Sequence, residues 1–355
     1  MFAQIKQKLK DKKFRLLQFE QAIFRDLIEN IDQLSVFPLE LRKSLKKEEL
    51  FLLKAKDLRI STDKKTFKII FETKDKHKIE SVLIRHYKRN TVCVSSQIGC
   101  ICGCKFCATG KLGFLRNLNA QEIIEQVLFF NRFLRKEYFT KNKENLIELK
   151  KWNNKNPFPS FRVRNIVFMG MGEPLLNLEN VLQAIEVFND HKKFNIGQRK
   201  ITISTVGIIP QIKVLQTKKM QVNLAVSLHA CTQKKRSEII PISKKYPLEQ
   251  LLKSLWSFSA VTKRRIFLVF TIIKDFNDNQ ETARILGKIC KNKLVHINFI
   301  PLNENKENSS FKKPLIEKIR LMQKILLNEF AVVSTIRETY GSEIDSACGQ
   351  LAGKI

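Results

Sequence analysis

Residues 93–107 read CVSSQIGCICGCKFC. The segment TVCVSS (91–96) is a strand candidate, and five of the chain's eight cysteines fall in the fifteen residues quoted. A strand whose carboxyl end opens into reactive side chains is the unit from which α/β active sites are built. The same unit recurs downstream. Strand candidates are VRNIVFMG (163–170), KITIST (200–205), QVNLAVSL (221–228), RRIFLVFTII (264–273) and LVHINFI (294–300). Helical spacing is read between them at 120–134, 178–190, 208–217, 248–258 and 281–290. Apolar strands alternating with amphipathic helices predict a parallel sheet covered by helices, and six units predict a partial, TIM-like (β/α)6 barrel that need not close. A helix (313–329) and a strand (331–338) finish the pattern.

Polar motifs fall where those strands end. They are SSQIGC, GMGEP, STVG, SLHA and, after the sixth strand, PLN. Five such ends on one rim predict a site at the carboxyl side of the sheet. Before the barrel, QFEQAIFRDLIENI (18–31) spaces Phe19, Ile23, Leu27 and Ile31 as one helix face, and FPLELRKSLKKEELFLL (37–53) reads as a second helix. TFKIIFE (66–72) and KIESVLIR (78–85) read as a hairpin. The expected organisation is a helical accessory module with a hairpin over 1–88, a barrel over 89–338 and a tail over 339–355. Residues 136–161, polar and Asn/Lys-rich with two prolines, read as a surface insertion.

The formal net charge is +31, from 65 Lys and Arg against 34 Asp and Glu. Such a surplus favours polyanions, above all nucleic acid, through phosphate contacts and counterion release. The bland alternative is a lysine-rich composition spread over solvated faces. No apolar run reaches the roughly 18 residues of a membrane span, and MFAQIKQKLKDKKF lacks the apolar core of a secretory signal. A cytoplasmic, monomeric protein is expected. In that compartment clustered cysteines indicate metal or redox chemistry rather than structural disulfides.

Cys100, Cys104 and Cys107 form CxxxCxxC, with Phe106 before the third thiol. Three thiolates on one loop suit three irons of a 4Fe–4S cluster and leave the fourth iron open to a small molecule. The rival is zinc, which wants four closed ligands. Cys102, Cys93 or a folded-in His229 would have to supply the fourth, because no second CxxC follows.

CxxxCxxC followed by GMGEP resembles the radical S-adenosylmethionine (SAM) superfamily. CVSSQIGC, FMGMGEP (168–174), NIGQRKITIST (195–205), NLAVSLHA (223–230), INFIPLN (297–303) and GSEIDSACGQLAG (341–353) together resemble the RlmN/Cfr group of radical SAM RNA adenosine methyltransferases, in the same order. The resemblance runs from about Glu80 to the C-terminus. It implies a 4Fe–4S cluster on Cys100, Cys104 and Cys107, with SAM bound by Gly172, Glu173, Ser204, Ser227, Leu228, His229 and Asn303. Thr205 is a further backbone candidate. Gly172 is expected to give a side-chain-free approach, and Glu173 to accept from the SAM ammonium.

The resemblance also implies a route using two SAM molecules per turnover. One methylates Cys348; the second yields a 5′-deoxyadenosyl radical that activates the S-methyl group toward an adenine carbon. Cys93 then resolves the protein–RNA adduct through a transient disulfide with Cys348, and Glu80 accepts a proton. Implied partners are 23S rRNA, tRNA at position 37, an electron donor such as flavodoxin or ferredoxin, and a thiol reductant. The bland readings are an exposed strand glutamate at 80 and an inert buried thiol at 93. STVGIIP and KFCATG lean toward the carbon 8 branch, GMGEP and ACGQLAG toward the carbon 2 branch; carbon 2 is the expectation. A non-catalytic Fe–S or zinc RNA-binding protein is the alternative from another class.

Overall fold

A computed structural model describes residues 2–10, 12–87, 89–141, 161–303 and 310–352. The chain opens with α1 (Ala3–Leu9), α2 (Lys13–Phe24) and α3 (Leu39–Lys46). The strands β1 (Lys54–Ile60), β2 (Thr66–Glu72) and β3 (Lys78–His86) follow as an antiparallel meander. β4 (Arg89–Cys93) begins the barrel. Its carboxyl end leads into a small excursion of β5 (Gln97–Gly99), α4 (Ala108–Lys111) and β6 (Phe114–Asn117), then α5 (Ala120–Lys141). After it come β7 (Val163–Phe168), α6 (Leu178–Asn189), β8 (Ile201–Thr205), α7 (Ile209–Thr217), β9 (Asn223–Ser227), α8 (Gln233–Ile239) and α9 (Leu248–Thr262). The chain continues with β10 (Ile266–Ile272), α10 (Gln280–Cys290), β11 (Val295–Pro301), α11 (Ile316–Phe330) and β12 (Ser334–Ile336).

The main sheet has the order β1-β2-β3-β4-β7-β8-β9-β10-β11-β12. From β4 onward its neighbours are parallel. Parallel strands covered by helices bury most of both faces, which explains the apolar run of β10, while β8 alternates buried and half-buried residues. Ile201, Ile203, Leu224, Val226, Leu268, Phe270, Ile297 and Phe299 form the shared core. Among the described residues β12 does not pair with β4, so the barrel is partial as expected.

Several boundaries differ from expectation. α2 stops at Phe24, because Leu27 takes a left-handed φ of 55° and Ile28 N–H bonds back to Ala22 O. Leu27 and Ile31 are still buried, but from an irregular segment and a following 3-10 helix (Ile31–Gln33) rather than from one helix face. The helix expected over 37–53 is only α3, with residues 47–53 irregular, and residues 54–60 form the unexpected strand β1. The hairpin is therefore a three-stranded unit. It is continuous with the barrel sheet, because β3 pairs antiparallel with β4 through Val82 opposite Cys93. Residues 136–141 belong to α5, Phe161 is buried, and the rest of the expected insertion, 142–160, lies outside the described residues.

The N-terminal helices are fixed to the barrel by α5. Glu125 accepts from the backbone N–H groups of Leu52 and Leu53, both at 2.8 Å, and from Gln121 at 2.8 Å. Arg132 lies over the Phe51 ring at 4.0 Å, a cation–π contact.

Candidate active site

The excursion after β4 places the cysteine loop over the carboxyl ends of the parallel strands. A cleft of about 970 Å³, its open mouth included, is lined there by Cys100, Cys104, Cys107, Phe106, Glu173 and Cys348 among others. Gly172, Ser204, Thr205, Ser227, His229 and Asn303 line it too, so the strand-end motifs do share one rim.

Cys104 and Cys107 have thiol pKa values raised by burial, and next, for Cys104, by the charges of Cys107, Cys100 and Glu173. Cys102 lies beside Cys100, and the interaction of the two thiols lowers the Cys100 pKa and raises that of Cys102. Cys102 lies in the apolar pocket of Ile239 and Ile240. Three thiols and a carboxylate around one cavity repel one another as anions, and a cationic iron group relieves that repulsion. Among the described residues no three Cys, His, Asp or Glu side chains converge as ligands of one ion. Each iron of a 4Fe–4S cluster takes its own thiolate, so Cys100, Cys104 and Cys107 need not meet at one point to hold it. Phe106 packs edge-on to His229 at 4.7 Å between ring centres, walling one side.

Glu173 is 3% exposed, and burial pushes its carboxyl up to about 7. One oxygen accepts from Val206 N–H at 2.7 Å and the other from Leu175 N–H at 3.0 Å. Gly172 sits at φ 97°, and a Cβ there would lie 2.5 Å from the Cβ of Gln97. The glycine is thus dictated by backbone conformation and by crowding from Gln97. Gln97 in turn accepts from the Glu173 N–H at 2.8 Å.

His229 is buried, and desolvation, with Arg236 second, lowers its pKa to about 3. Its Nδ1 accepts from Thr271 N–H at 2.8 Å, so the neutral ring carries its proton on Nε2. Leu228 does not line the cleft. It lies in the core with its N–H on Val269 O at 3.0 Å and its carbonyl on Ala230 N–H at 2.8 Å, so its backbone is already engaged.

The tail enters the same cleft. Cys348 is solvent-accessible at its mouth, while the surrounding protein raises its thiol pKa. Asn303 Nδ2 donates to Cys348 O at 3.1 Å. Beyond it, Ala108 N–H donates to Gly349 O at 2.8 Å and Thr109 Oγ1 to Leu351 O at 2.6 Å. The cluster loop therefore clasps the tail just after Cys348.

Cys93 and Glu80 are not among the lining residues. Cys93 is buried in β4, its pKa raised by burial and then by the charge of Cys348, which places the two thiols within electrostatic reach. Glu80 is 1% exposed, not the exposed strand glutamate of the bland reading. Lys68 on β2 stands 3.7 Å from its carboxylate.

No family model matches the chain. A probable dual-specificity RNA methyltransferase RlmN of Dictyoglomus thermophilum is 39% identical over 95% of this chain and 90% of its own length. Proteins of the same name from Chlorobium phaeobacteroides and Pseudothermotoga lettingae are 40% and 37% identical, over 96% and 99% of this chain. The crystal structure of a radical SAM methyltransferase from Sphaerobacter thermophilus superposes with a TM-score of 0.89 at 32% identity, covering 100% of this chain and 98% of that one. The chain belongs to the RlmN family. It is a radical SAM enzyme that methylates RNA, and a 4Fe–4S cluster and SAM are the cofactors its relatives imply.

Behind this RlmN-family cleft lies a buried residue that the sequence reading did not single out. Arg236, fully buried on α8, donates to the Val206 carbonyl and, at 3.4 Å, to Ser227 O. It ties the ends of β8 and β9 together, and its charge acts on Cys104. In KKRSE (234–238) it reads as one charge of a solvated face, and nothing in its spacing marks it as internal.

Proposed function

We propose that the protein methylates carbon 2 of an adenosine in 23S rRNA, and of tRNA at position 37, with Cys348 as methyl carrier. The observation that carries this reading is the position of Cys348. It lines one cleft with Cys100, Cys104 and Cys107 and is held there by Asn303 and by the cluster loop.

When bound on those three thiolates, the cluster supplies the electron that cleaves SAM reductively to a 5′-deoxyadenosyl radical. Glu173 offers a buried, backbone-oriented carboxylate to the SAM ammonium. Ser204, Ser227 and the His229 ring offer polar groups to the rest of the molecule. Cys348 takes its methyl from one SAM and presents it to the radical derived from a second, which would remove one hydrogen atom so that the carbon bonds to the adenine; the surplus electron of that adduct would return to the oxidised cluster. Glu80 accepts a proton from the adduct carbon. Cys93 then loses its proton and attacks the Cys348 sulfur as a thiolate; an S–S bond forms, the C–S bond to the base breaks, and the carbon leaves with the electron pair and takes up a proton to complete the methyl group. Burial holds Cys93 as a thiol until the adduct forms, and cellular thiol reductant restores the pair. The electron donor is of the flavodoxin or ferredoxin class.

Residues 1–88 form the RNA-gripping accessory domain, 89–338 the catalytic barrel and 339–355 the carrier tail in this reading. Adenine leaves its stack to reach the barrel mouth. The test is mass analysis of nucleosides from rRNA and tRNA after reaction with reconstituted enzyme, alongside the Cys348 peptide. Methyl on Cys348 with 2-methyladenosine supports the proposal. An 8-methyladenosine product overturns the carbon assignment, and an unmodified Cys348 during turnover overturns the carrier.

A further inference from the structure

The tail is gripped on both sides of Cys348, and the grip before it comes from the N-terminal meander. Thr62 N–H, in the β1–β2 turn, donates to Glu343 Oε1 at 3.1 Å. Tyr340 packs edge-on to His86, at 5.8 Å between ring centres. Gly341, at φ 64°, leaves no room for a side chain: a Cβ would lie 2.2 Å from Ser346 Oγ and 2.7 Å from Thr66 Cγ2 on β2. Ser346 Oγ closes the turn by donating to Gly341 O at 2.8 Å.

The deepest contact is made by Lys68. This lysine is 2% exposed in the middle of β2. Its Nζ donates to Asp345 O at 3.1 Å and stands 3.7 Å from Glu80 Oε2, which is also buried. Few lysines are buried this completely, and they are paired when they are. Desolvation lowers the Lys68 pKa, opposed chiefly by the Glu80 charge. One ammonium therefore bridges a strand carboxylate and the backbone of the tail three residues before Cys348.

We propose that the β1–β3 meander is the dock for the carrier tail and that Lys68 is its positioning residue, fixing the tail backbone relative to Glu80. The dock is independent of what Cys348 does; the consequence for turnover rests on the methyl-carrier reading above. A segment pinned at 341–346, at the Cys348 carbonyl by Asn303 and again at 349–351 holds the Cys348 backbone from both sides. A reacting sulfur held this way pays little orientational entropy.

The test uses the full chain in two arms. In the first, without cofactor or RNA, hydrogen exchange of peptides covering 340–352 is measured by mass spectrometry. Lys68→Met should speed exchange there about tenfold, Lys68→Arg should restore most of the protection, and strands β8–β11 should stay protected. Should Lys68→Met strand the Glu80 charge and unfold the protein, the double variant Lys68→Met/Glu80→Gln removes both charges and should show the same loose tail. In the second arm, the reconstituted Lys68 variants are assayed for RNA methylation and for methyl on Cys348. Lys68→Met should lower the RNA methylation rate at least tenfold, with partial rescue by arginine. Tail exchange equal to the parent in the single and double variants overturns the dock. A loosened tail with an undiminished methylation rate overturns the positioning role. A loosened tail in a protein whose Cys348 never carries methyl supports the dock while sinking the carrier reading, so the two failures are distinct.

Discussion

The side-chain amide of Asn303, just beyond β11, donates to the carbonyl of Cys348 at 3.1 Å, so a barrel strand end holds the tail at the thiol itself. Thr339 Oγ1 donates to the Asn303 Oδ1 at 3.1 Å, which orients the amide. By resemblance, Asn303 is a SAM contact; the geometry gives it a partner in the tail. A hydrogen bond of this kind contributes about 0.5–1.5 kcal/mol net. Asn303→Ala should slow RNA methylation by roughly tenfold or less, with SAM affinity unchanged in equilibrium binding. Weaker SAM binding at an unaltered rate would return Asn303 to the cofactor.

Glu173 should matter to SAM through its charge. Its two oxygens are already aligned by Val206 and Leu175 N–H groups, so Glu173→Gln keeps the shape and removes the anion. A charge-assisted hydrogen bond is worth roughly twice a neutral one. SAM affinity of the cluster-loaded protein should fall at least about tenfold, or ~1.4 kcal/mol. Iron content and secondary structure should be unaffected. Equal SAM affinity in calorimetric titration would remove Glu173 from the binding role.

Gly172→Ala tests whether the glycine serves backbone geometry. The left-handed conformation costs about 1–2 kcal/mol for a residue with a Cβ, and the added atom meets Gln97 at 2.5 Å. The variant should melt a few degrees lower and bind SAM poorly, because Gln97 also anchors the Glu173 N–H. A Tm equal to the parent's would show that the loop relaxes without cost.

Glu125 links stability to pH. Its folded pKa is pushed up to about 7 by burial, from an ordinary value of 4.5. The folded state therefore holds this proton more tightly than the unfolded chain does. Its contribution is fully present below pH 4.5 and is lost as pH rises through about 7. Each pKa unit is worth about 1.4 kcal/mol, so the loss amounts to a few kcal/mol. Measured as a difference, the stability of Glu125→Gln relative to the parent should rise from pH 4.5 to 7.5 in urea melts. A difference independent of pH would contradict a buried, titrating carboxylate at the α5 anchor.

Most of the barrel was legible because its strands are apolar runs with punctuated ends, and TFKIIFE coincides with β2. β1 was missed for a physical reason. KAKDLRI is an edge strand with largely exposed side chains, and its short apolar alternation is broken by a register shift between Ala55 and Asp57. The proposed rim residues were read from strand-end motifs; Arg236 behind them was not, because its burial depends on α8 packing over the cysteine loop, where Lys105 N–H donates to Ile239 O at 3.0 Å. Lys68 was equally invisible. In a strand buried on both faces the period-2 rule does not tell a core position from a solvent one, and its partner Asp345 lies 277 residues away.

The continuity of β3 with β4 has a practical consequence for chimeric enzymes. Exchanging the first 88 residues with those of a homologue would replace the cradle of the last dozen residues along with whatever surface meets the substrate. A graft of the front of the chain therefore has to carry the matching end, or the swapped protein would recognise its RNA and yet misplace its sulfur.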